Sequence, residues 1–231
     1  MEHLPDPPRL ALGRVPAGPH AGQPVHCAGA PLADAAAAVV AVHGRGGDAH
    51  DMLALGAALG TTDTAYCAPQ AAGHTWYPNR FVAPFADNEP WLSSALDFLA
   101  ATVEAIEAHG VRRRRIVLLG FSQGGCLALH FGATRATRWG GLVGLSAGLI
   151  GPPGTAWDFP PSLNGTPVFL GCSEPDPHIP HERLAESARA LERLGGAVTL
   201  RVYPALGHTV NEDELAHVRN VIASVERPGE P

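Results

Sequence analysis

Short segments of wholly apolar residues alternate along this chain with longer segments whose apolar residues recur at helical spacing. Residues 37–42 read AAVVAV and residues 116–119 read IVLL, whereas Leu92, Leu96 and Leu99 follow the spacing of an amphipathic helix. Strands that are apolar throughout are typical of a parallel sheet covered by helices on both faces. The alternation therefore predicts an α/β fold with a mostly parallel, twisted sheet.

The same patterns, followed from end to end, predict a single domain spanning residues 1–231. Strands are expected over residues 37–42, 65–68, 116–119, 141–145, 166–171 and 197–203. Helices are expected over residues 48–59, 91–109, 123–134, 180–194 and 211–225. Residues 1–30 form a proline- and glycine-rich leader that could contribute edge strands, and residues 73–90, rich in proline, glycine and aromatic residues, predict a long loop.

Composition and charge argue against several classes of partner. A net charge of −6 and a pI near 6.0 disfavour nucleic acid and anionic membrane surfaces. No apolar run is long enough to span a bilayer, and residues 1–10 lack the basic and apolar regions of a secretory signal. Four widely spaced cysteines are typical of buried thiols in a reducing compartment: Cys27, Cys67, Cys126 and Cys172. We therefore expect a cytoplasmic protein, and the sequence does not distinguish a monomer from a homodimer.

Two stretches contain the pattern Gly-x-Ser-x-Gly, one centred on Ser122 and the other on Ser146. A nucleophile elbow needs a strand before the serine and a helix directly after it. Ser122 follows the apolar run 116–119 and precedes a helical pattern. Ser146 follows a strand pattern but precedes AGLIGPPGTAWDFPP, in which glycine and proline disfavour a helix. Ser122 is therefore the predicted nucleophile, and we interpret Ser146 as a small residue at a strand end.

A serine hydroxyl needs a histidine to take its proton, and in this arrangement the base follows the nucleophile in the chain. His208 lies in YPALGHTVNEDEL, directly after a predicted strand and before a predicted helix. His130 lies two turns into the helix that follows Ser122, and His217 lies within the last helix. His208 is therefore the predicted base.

The residue that orients this base is expected in the loop after TPVFLG, which continues CSEPDPHIP. Asp176 and Glu174 both lie there. Asp176 is preferred because Pro175 and Pro177 stiffen the chain on either side of it, and Glu174 is the alternative. His178 would then neighbour the site or be exposed.

An oxyanion hole needs backbone N–H groups aimed at the reacting carbonyl oxygen. The residue after the nucleophile, Gln123, supplies one, and the glycine-rich loop HGRGG supplies the other, which we assign to Arg45. His43 is expected to support the site as a strand-end histidine. The loop is not a phosphate-binding loop, because no Lys-Ser/Thr pair follows it.

The sequence resembles the phospholipase/carboxylesterase branch of the α/β-hydrolases, which includes acyl-protein thioesterases, and is also similar to dienelactone-hydrolase-like proteins. The resemblance is carried, in chain order, by HGRGG (43–47), WYP (76–78), GFSQGG (120–125), DPHIP (176–180) and GHTV (207–210). It implies an α/β-hydrolase fold without a large cap domain. Dienelactone hydrolases themselves have a cysteine in place of Ser122, which argues against that particular activity.

The resemblance implies a serine hydrolase that cleaves carboxylic ester or thioester bonds of small acyl substrates through an acyl-enzyme, without metal or cofactor. Pocket residues are expected to be His43, Trp76, Tyr77 and Phe81. The alternative for Trp76, Tyr77 and Phe81 is that their rings only anchor a surface loop. An acyltransferase or biosynthetic thioesterase with the same triad is one alternative. A non-catalytic ligand-binding protein on the same fold is another, and a metal enzyme is disfavoured because no His-Glu-x-x-His spacing occurs.

Overall fold

The computed structural model describes residues 6–135, 137–159 and 162–225. Its strands are Val25–Gly29 (β1), Ala37–Val42 (β2), Thr64–Pro69 (β3), Ile116–Phe121 (β4), Gly141–Leu145 (β5), Pro167–Glu174 (β6) and Ala197–Pro204 (β7). Its α-helices are Ala49–Leu59 (α1), Trp91–Ala108 (α2), Ser122–Thr134 (α3), His181–Arg193 (α4) and Glu212–Ala223 (α5).

The strands form one sheet in the order β1-β3-β2-β4-β5-β6-β7. Only β1, which comes from the proline- and glycine-rich leader, runs antiparallel to its neighbour; the other pairings are parallel. The predicted mostly parallel sheet is therefore confirmed. Because parallel strands share one orientation, their carboxyl ends meet at one edge, where ligands bind in open α/β sheets.

Two apolar cores cover the two faces of the sheet. One contains apolar residues of α2, α3 and α4, and the other contains residues of α1 and α5. Strands β2, β3 and β5 are buried along their whole length, as their apolar sequences require, whereas β7 alternates between exposed and half-buried residues. β7 is an edge strand, so only one side of it faces another strand.

Two of the helices that lead away from the functional edge, α1 and α5, begin at residues whose side chains cap them. Asp48 accepts hydrogen bonds from the backbone N–H groups of His50 and Asp51, and Gly60 ends α1 in the left-handed conformation. Asn211 and Glu214 form the equivalent capping box on α5. These caps fix where the loops after β2 and β7 end.

The predicted long loop over residues 73–90 contains two short 3₁₀ turns, Ala72–His74 and Phe85–Asn88. Its beginning is anchored by the leader. The imidazole of buried His20 accepts from the Ala72 backbone N–H at 3.1 Å and bonds the Trp76 carbonyl at 3.0 Å. The loop is thereby held beside the carboxyl ends of β2 and β4.

Candidate active site

Ser122 stands at the turn between β4 and α3. Its φ of 53° is left-handed, a conformation that costs energy for a residue other than glycine and turns the chain sharply from strand to helix. A Cβ on Gly124 would lie 2.3 Å from the carbonyl oxygens of Val42 and His43. Only glycine allows α3 to begin this close to the end of β2. The local geometry is that of a nucleophile elbow.

A chain of hydrogen bonds joins Ser122 to two later loops. The Nε2 atom of His208 lies 2.8 Å from Ser122 Oγ, and the Nδ1 atom lies 2.8 Å from Asp176 Oδ2. His208 follows β7 and Asp176 follows β6, so neighbouring strand ends bring the two side chains together. The Phe121 ring lies against the imidazole at 5.0 Å between centroids. The structure thus places the three residues predicted as a triad within hydrogen-bonding distance.

The Asp176 side chain is fully buried and surrounded by donors. Its Oδ1 accepts from the backbone N–H groups of His178 (2.8 Å) and Ile179 (3.0 Å), and its Oδ2 also receives the Cys172 thiol at 3.7 Å. Desolvation alone would raise the pKa of Asp176, but the bonds from His208 and the two N–H groups outweigh it and lower the pKa. The carboxylate is therefore ionised beside His208.

Glu174, the alternative orienting residue, points elsewhere. Its carboxylate lies 3.4 Å from His181 Nδ1 at the start of α4, and both side chains are exposed. His178 lies edge-on to the His208 ring at 4.7 Å between centroids, so it neighbours the site. His130 is buried in α3 and His217 stacks on Phe169, both away from the cavity described next.

A cavity of about 500 Å³ opens over Ser122 and His208. Its wall contains two of the predicted pocket residues, Tyr77 and Phe81. The complete lining is Gly44, Arg45, Tyr77, Pro78, Asn79, Arg80, Phe81, Phe121, Ser122, Gln123, Cys126, His178, Ile179 and His208. Burial raises the pKa of the Cys126 thiol to about 12, so this thiol is not a rival nucleophile at neutral pH.

His43 and Trp76, which the sequence predicted as pocket residues, do not line the cavity. Both are buried, and the Trp76 indole N–H donates to the His43 carbonyl at 2.8 Å. The His43 Nε2 atom accepts from the Ala71 backbone N–H at 3.1 Å. Desolvation lowers the pKa of His43, which favours the neutral ring that this bond requires. Their observed role is to hold the loop after β3 against β2.

Arg45 and Gln123, the predicted oxyanion-hole residues, both line the cavity beside Ser122. Among the described residues, neither backbone N–H has a hydrogen-bond acceptor. Gln123 is the second residue of α3, where backbone N–H groups have no partner within the helix and where the helix dipole favours negative charge. Both N–H groups are therefore without an acceptor among the described residues, on residues that line the cavity.

The side chains of these two residues have a function that sequence reasoning missed. The Arg45 guanidinium donates to three successive carbonyls, those of Tyr77 (2.9 Å), Pro78 (2.9 Å) and Asn79 (2.7 Å). The side-chain amide of Gln123 donates to the Tyr77 carbonyl at 2.8 Å and accepts from the backbone N–H of Trp76 at 2.9 Å. Both side chains are thus bonded to the backbone of residues 76–79. In the sequence, the one hint of this role was an arginine within an otherwise glycine-rich loop.

No helix in the described ranges is both long and apolar enough to cross a bilayer. Within the same ranges, no three His, Cys, Asp or Glu side chains cluster in a way that could hold a metal ion.

Residues 29–226 match the phospholipase/carboxylesterase family. The chain belongs to this family. The resemblance drawn from the five motifs is confirmed, and the match includes every residue of the hydrogen-bonded chain from Asp176 to Ser122.

Among curated proteins, this phospholipase/carboxylesterase family member is similar to acyl-protein thioesterase 1 of Gibberella zeae, with 40% identity over 111 residues. It is also similar to acyl-protein thioesterase 1 of Emericella nidulans, with 29% identity over 141 residues. The first alignment covers 47% of each chain, and the second covers 60% of this chain and 59% of the relative. The chain therefore spans about half the length of the curated relatives it matches.

Solved structures extend the likeness over nearly the whole chain. A phospholipase/carboxylesterase from Dyadobacter fermentans is 37% identical with a TM-score of 0.84, covering 92% of this chain and 100% of that one. Zea mays acyl-protein thioesterase 2 is 18% identical with a TM-score of 0.68, covering 87% and 99% of the two chains, and shares the fold. The predicted α/β-hydrolase fold is confirmed.

Proposed function

We propose that this protein is a serine hydrolase that cleaves ester or thioester bonds of small acyl substrates through an acyl-enzyme. One observation carries the proposal: an unbroken hydrogen-bond chain runs from Asp176 through His208 to Ser122 and ends in a cavity. This is the arrangement that converts a serine hydroxyl into a nucleophile at neutral pH. The names of the thioesterase and carboxylesterase relatives support the same reaction class.

Acylation begins when Ser122 Oγ attacks the substrate carbonyl carbon and His208 Nε2 takes the hydroxyl proton. The pair of electrons from the carbonyl bond moves to its oxygen, which becomes an oxyanion. The free N–H groups of Arg45 and Gln123 stabilise that charge. Asp176 holds the imidazole in the tautomer that has its free lone pair on Nε2, and it stabilises the imidazolium once the proton has moved.

The tetrahedral intermediate then collapses. The bond to the alcohol or thiol breaks, and the His208 imidazolium gives its proton to the departing oxygen or sulfur. Water enters, loses a proton to His208 and attacks the acyl-Ser122 carbonyl. A second collapse releases the carboxylic acid and returns the proton to Ser122.

The cavity favours small substrates. Its volume of about 500 Å³ lies in the lower half of the range typical of small-molecule sites. Tyr77, Phe81, Phe121 and Ile179 provide apolar walls that suit a short acyl chain. All three side chains of the proposed triad come from one chain, so the chemistry needs no second subunit. The proposal includes a reducing, cytoplasmic setting, which the four unpaired cysteines support.

The test is hydrolysis of p-nitrophenyl esters from acetate to octanoate and of the matching acyl-CoA thioesters. The wild type is compared with Ser122→Ala. We expect turnover of the short esters and a fall in kcat/KM of at least about 10³-fold in the variant. Turnover that survives in Ser122→Ala, with circular dichroism showing that the variant is folded, would contradict the mechanism.

A further inference from the structure

The cavity lining contains two guanidinium groups, those of Arg45 and Arg80, while none of the described lining residues is Asp or Glu. Asp176 lies beneath His208 with its carboxylate fully buried by donors, so its charge does not face the cavity. The chain as a whole has a net charge of −6. A positive cavity is therefore a local feature that contrasts with the rest of the protein.

The two arginines differ in what remains available to a ligand. The Arg45 guanidinium is committed to three backbone carbonyls and contributes only its charge. Arg80 makes one long contact, from Nη2 to the His178 carbonyl at 3.3 Å, and is exposed at the cavity rim. It forms no salt bridge with any residue in the described part of the chain. Most of its fork of donors is free for a planar anion.

The backbone that carries Arg80 is held in place. The side chain of Asn88, which is fully buried, accepts from the Asn79 N–H at 2.8 Å and donates to the Arg80 carbonyl at 3.2 Å. A single buried amide thus fixes the backbone on both sides of the peptide joining residues 79 and 80. Arg80 is presented from an ordered loop, which reduces the entropy lost when its side chain binds an anion.

Arg80 is also close to the reacting groups. Its guanidinium bonds the His178 carbonyl, and the His178 ring packs edge-on against His208 at 4.7 Å between centroids. Residue His178 therefore lies between the Arg80 guanidinium and the imidazole of His208. Short substrates, which the cavity volume favours, would span that separation.

We propose that Arg80 forms an anion subsite of this cavity, so that the preferred substrate carries a carboxylate or phosphate group in addition to its ester or thioester. The proposal rests on the proposed hydrolase function and names its substrate class. The anion could belong to the acyl part, as in a monoester of a dicarboxylic acid, or to the leaving group, as in a coenzyme A thioester. Arg80 determines specificity and takes no part in bond breaking.

The experiment uses two matched pairs of substrates. Monoethyl succinate is compared with ethyl levulinate, which replaces the carboxylate by a methyl ketone of the same length. Butyryl-CoA is compared with S-butyryl-N-acetylcysteamine, which keeps the thioester and lacks the phosphates. The ratio of kcat/KM within each pair is measured for the wild type, Arg80→Gln and Arg80→Lys. Arg189→Gln, at an exposed position on α4 outside the cavity lining, removes the same charge and serves as control.

We expect the wild type to prefer the anionic member of one pair by about two- to fivefold, the range for an exposed charge pair. Arg80→Gln should abolish that preference through KM, Arg80→Lys should keep part of it, and Arg189→Gln should leave it unchanged. A preference in the succinate pair assigns the anion to the acyl part, and one in the butyryl pair assigns it to the leaving group. The preference should also weaken as salt rises from 0.05 M to 0.5 M.

Equal or better turnover of both neutral substrates would overturn the subsite. So would an anionic preference that Arg80→Gln leaves intact. The neutral substrates report the fraction of folded enzyme, so an unstable variant does not obscure the ratio. If none of the four substrates is turned over in a Ser122-dependent manner, the proposed hydrolase function fails, which is distinct from loss of the anionic preference alone.

Discussion

The strands β4 and β5 lie side by side, and each leads into a Gly-x-Ser-x-Gly sequence whose serine has a left-handed φ, 53° at Ser122 and 46° at Ser146. The two serines nevertheless have opposite surroundings. Ser122 lines the cavity and bonds His208. Ser146 is fully buried, and its Oγ, near the Cys172 thiol, has no hydrogen-bond partner among the described residues. Neither the motif nor the backbone turn is therefore sufficient to place a serine in a cavity beside a histidine.

The last glycine of each motif marks one physical difference. A Cβ on Gly124 would meet backbone oxygens of β2 and the residue after it at 2.3 Å, whereas a Cβ on Gly148 would meet Ser187 Oγ at 3.0 Å and Arg183 Cγ at 3.1 Å. The first contact is with backbone oxygens at a strand end, and the second is with side-chain atoms that lie farther away. The tight contact exists because α3 starts at Ser122, and no helix starts at Ser146.

The second difference lies in what converges on each serine. Loops after β6 and β7 bring Asp176 and His208 to Ser122. The Ser146 N–H instead bonds the Gly171 carbonyl at 2.7 Å, and the buried Glu214 carboxyl packs against Gly171 from α5. The surroundings of Ser146 are those of a packed interior, and four experiments probe the contrast.

The largest effect is expected for Asp176→Asn. An amide cannot hold His208 in the required tautomer, so kcat/KM for a short ester should fall by about 10³- to 10⁴-fold. Steady-state kinetics on p-nitrophenyl acetate provide the measurement, with Glu174→Gln as the matched control expected to stay within about threefold. A larger loss in Glu174→Gln would reverse the assignment of the orienting carboxylate.

Replacing the last glycine of each motif by alanine should destabilise the protein to different extents at the two turns. Gly124→Ala forces β2 and α3 apart and should lower the free energy of unfolding by about 3 kcal/mol or more, with loss of activity. Gly148→Ala should cost less, about 1 kcal/mol, because the nearest atoms to its Cβ would lie at 3.0 Å and not at 2.3 Å. Urea denaturation followed by circular dichroism measures both. Equal losses would show that the two turns are packed alike.

The buried carboxyl of Glu214, which packs against Gly171, should make the free energy of unfolding depend on pH. Desolvation raises the pKa of its carboxyl from 4.5 to about 7 in the folded protein. The folded state therefore binds this proton more tightly than the unfolded chain, and the contribution of the group to stability falls as pH rises from about 4.5 to about 7.

Between pH 5 and pH 8 the wild type should lose on the order of 2 kcal/mol of stability relative to Glu214→Gln. Urea unfolding of both proteins at the two pH values gives the difference. Parallel pH profiles would contradict the protonated state of the buried carboxyl.

The smallest effect is expected for Ser146→Ala. Removing a buried hydroxyl that lacks a partner should change the free energy of unfolding by less than about 1 kcal/mol, and in the stabilising direction. The kcat/KM value should stay within about twofold of the wild type. A loss above tenfold, with stability unchanged, would give Ser146 a part in the reaction.

Two kinds of feature could be predicted from the sequence: strands with a regular apolar pattern, and site residues that follow strands in a fixed order along the chain. Wholly apolar runs mark β2, β4 and β5 because buried parallel strands need apolar residues on both faces. The order serine, acid, histidine selected Asp176 and His208 because each follows a strand end. The left-handed turn at Ser146 gave no such signal, since a serine at a strand end is compatible with many conformations.

The wall of the site escaped prediction because its bonds join distant segments without periodicity. Arg45 reaches carbonyls more than thirty residues away, and a carbonyl acceptor places no demand on residue type. Trp76 was expected in the pocket on its aromatic character, but its N–H bond to the His43 carbonyl draws the indole beneath the wall. Burial of that kind depends on the tertiary fold.

Covalent labelling of the active enzyme tests the central claim most directly. The protein is treated with a p-nitrophenyl alkylphosphonate, digested with trypsin and mapped by mass spectrometry. Arginines at 115, 135, 138 and 183 place Ser122 and Ser146 on separate peptides, residues 116–135 and 139–183. We predict one phosphonyl group per chain, on Ser122, formed at the rate at which activity is lost. Labelling of the 139–183 peptide, or inactivation without a label on Ser122, would contradict the account.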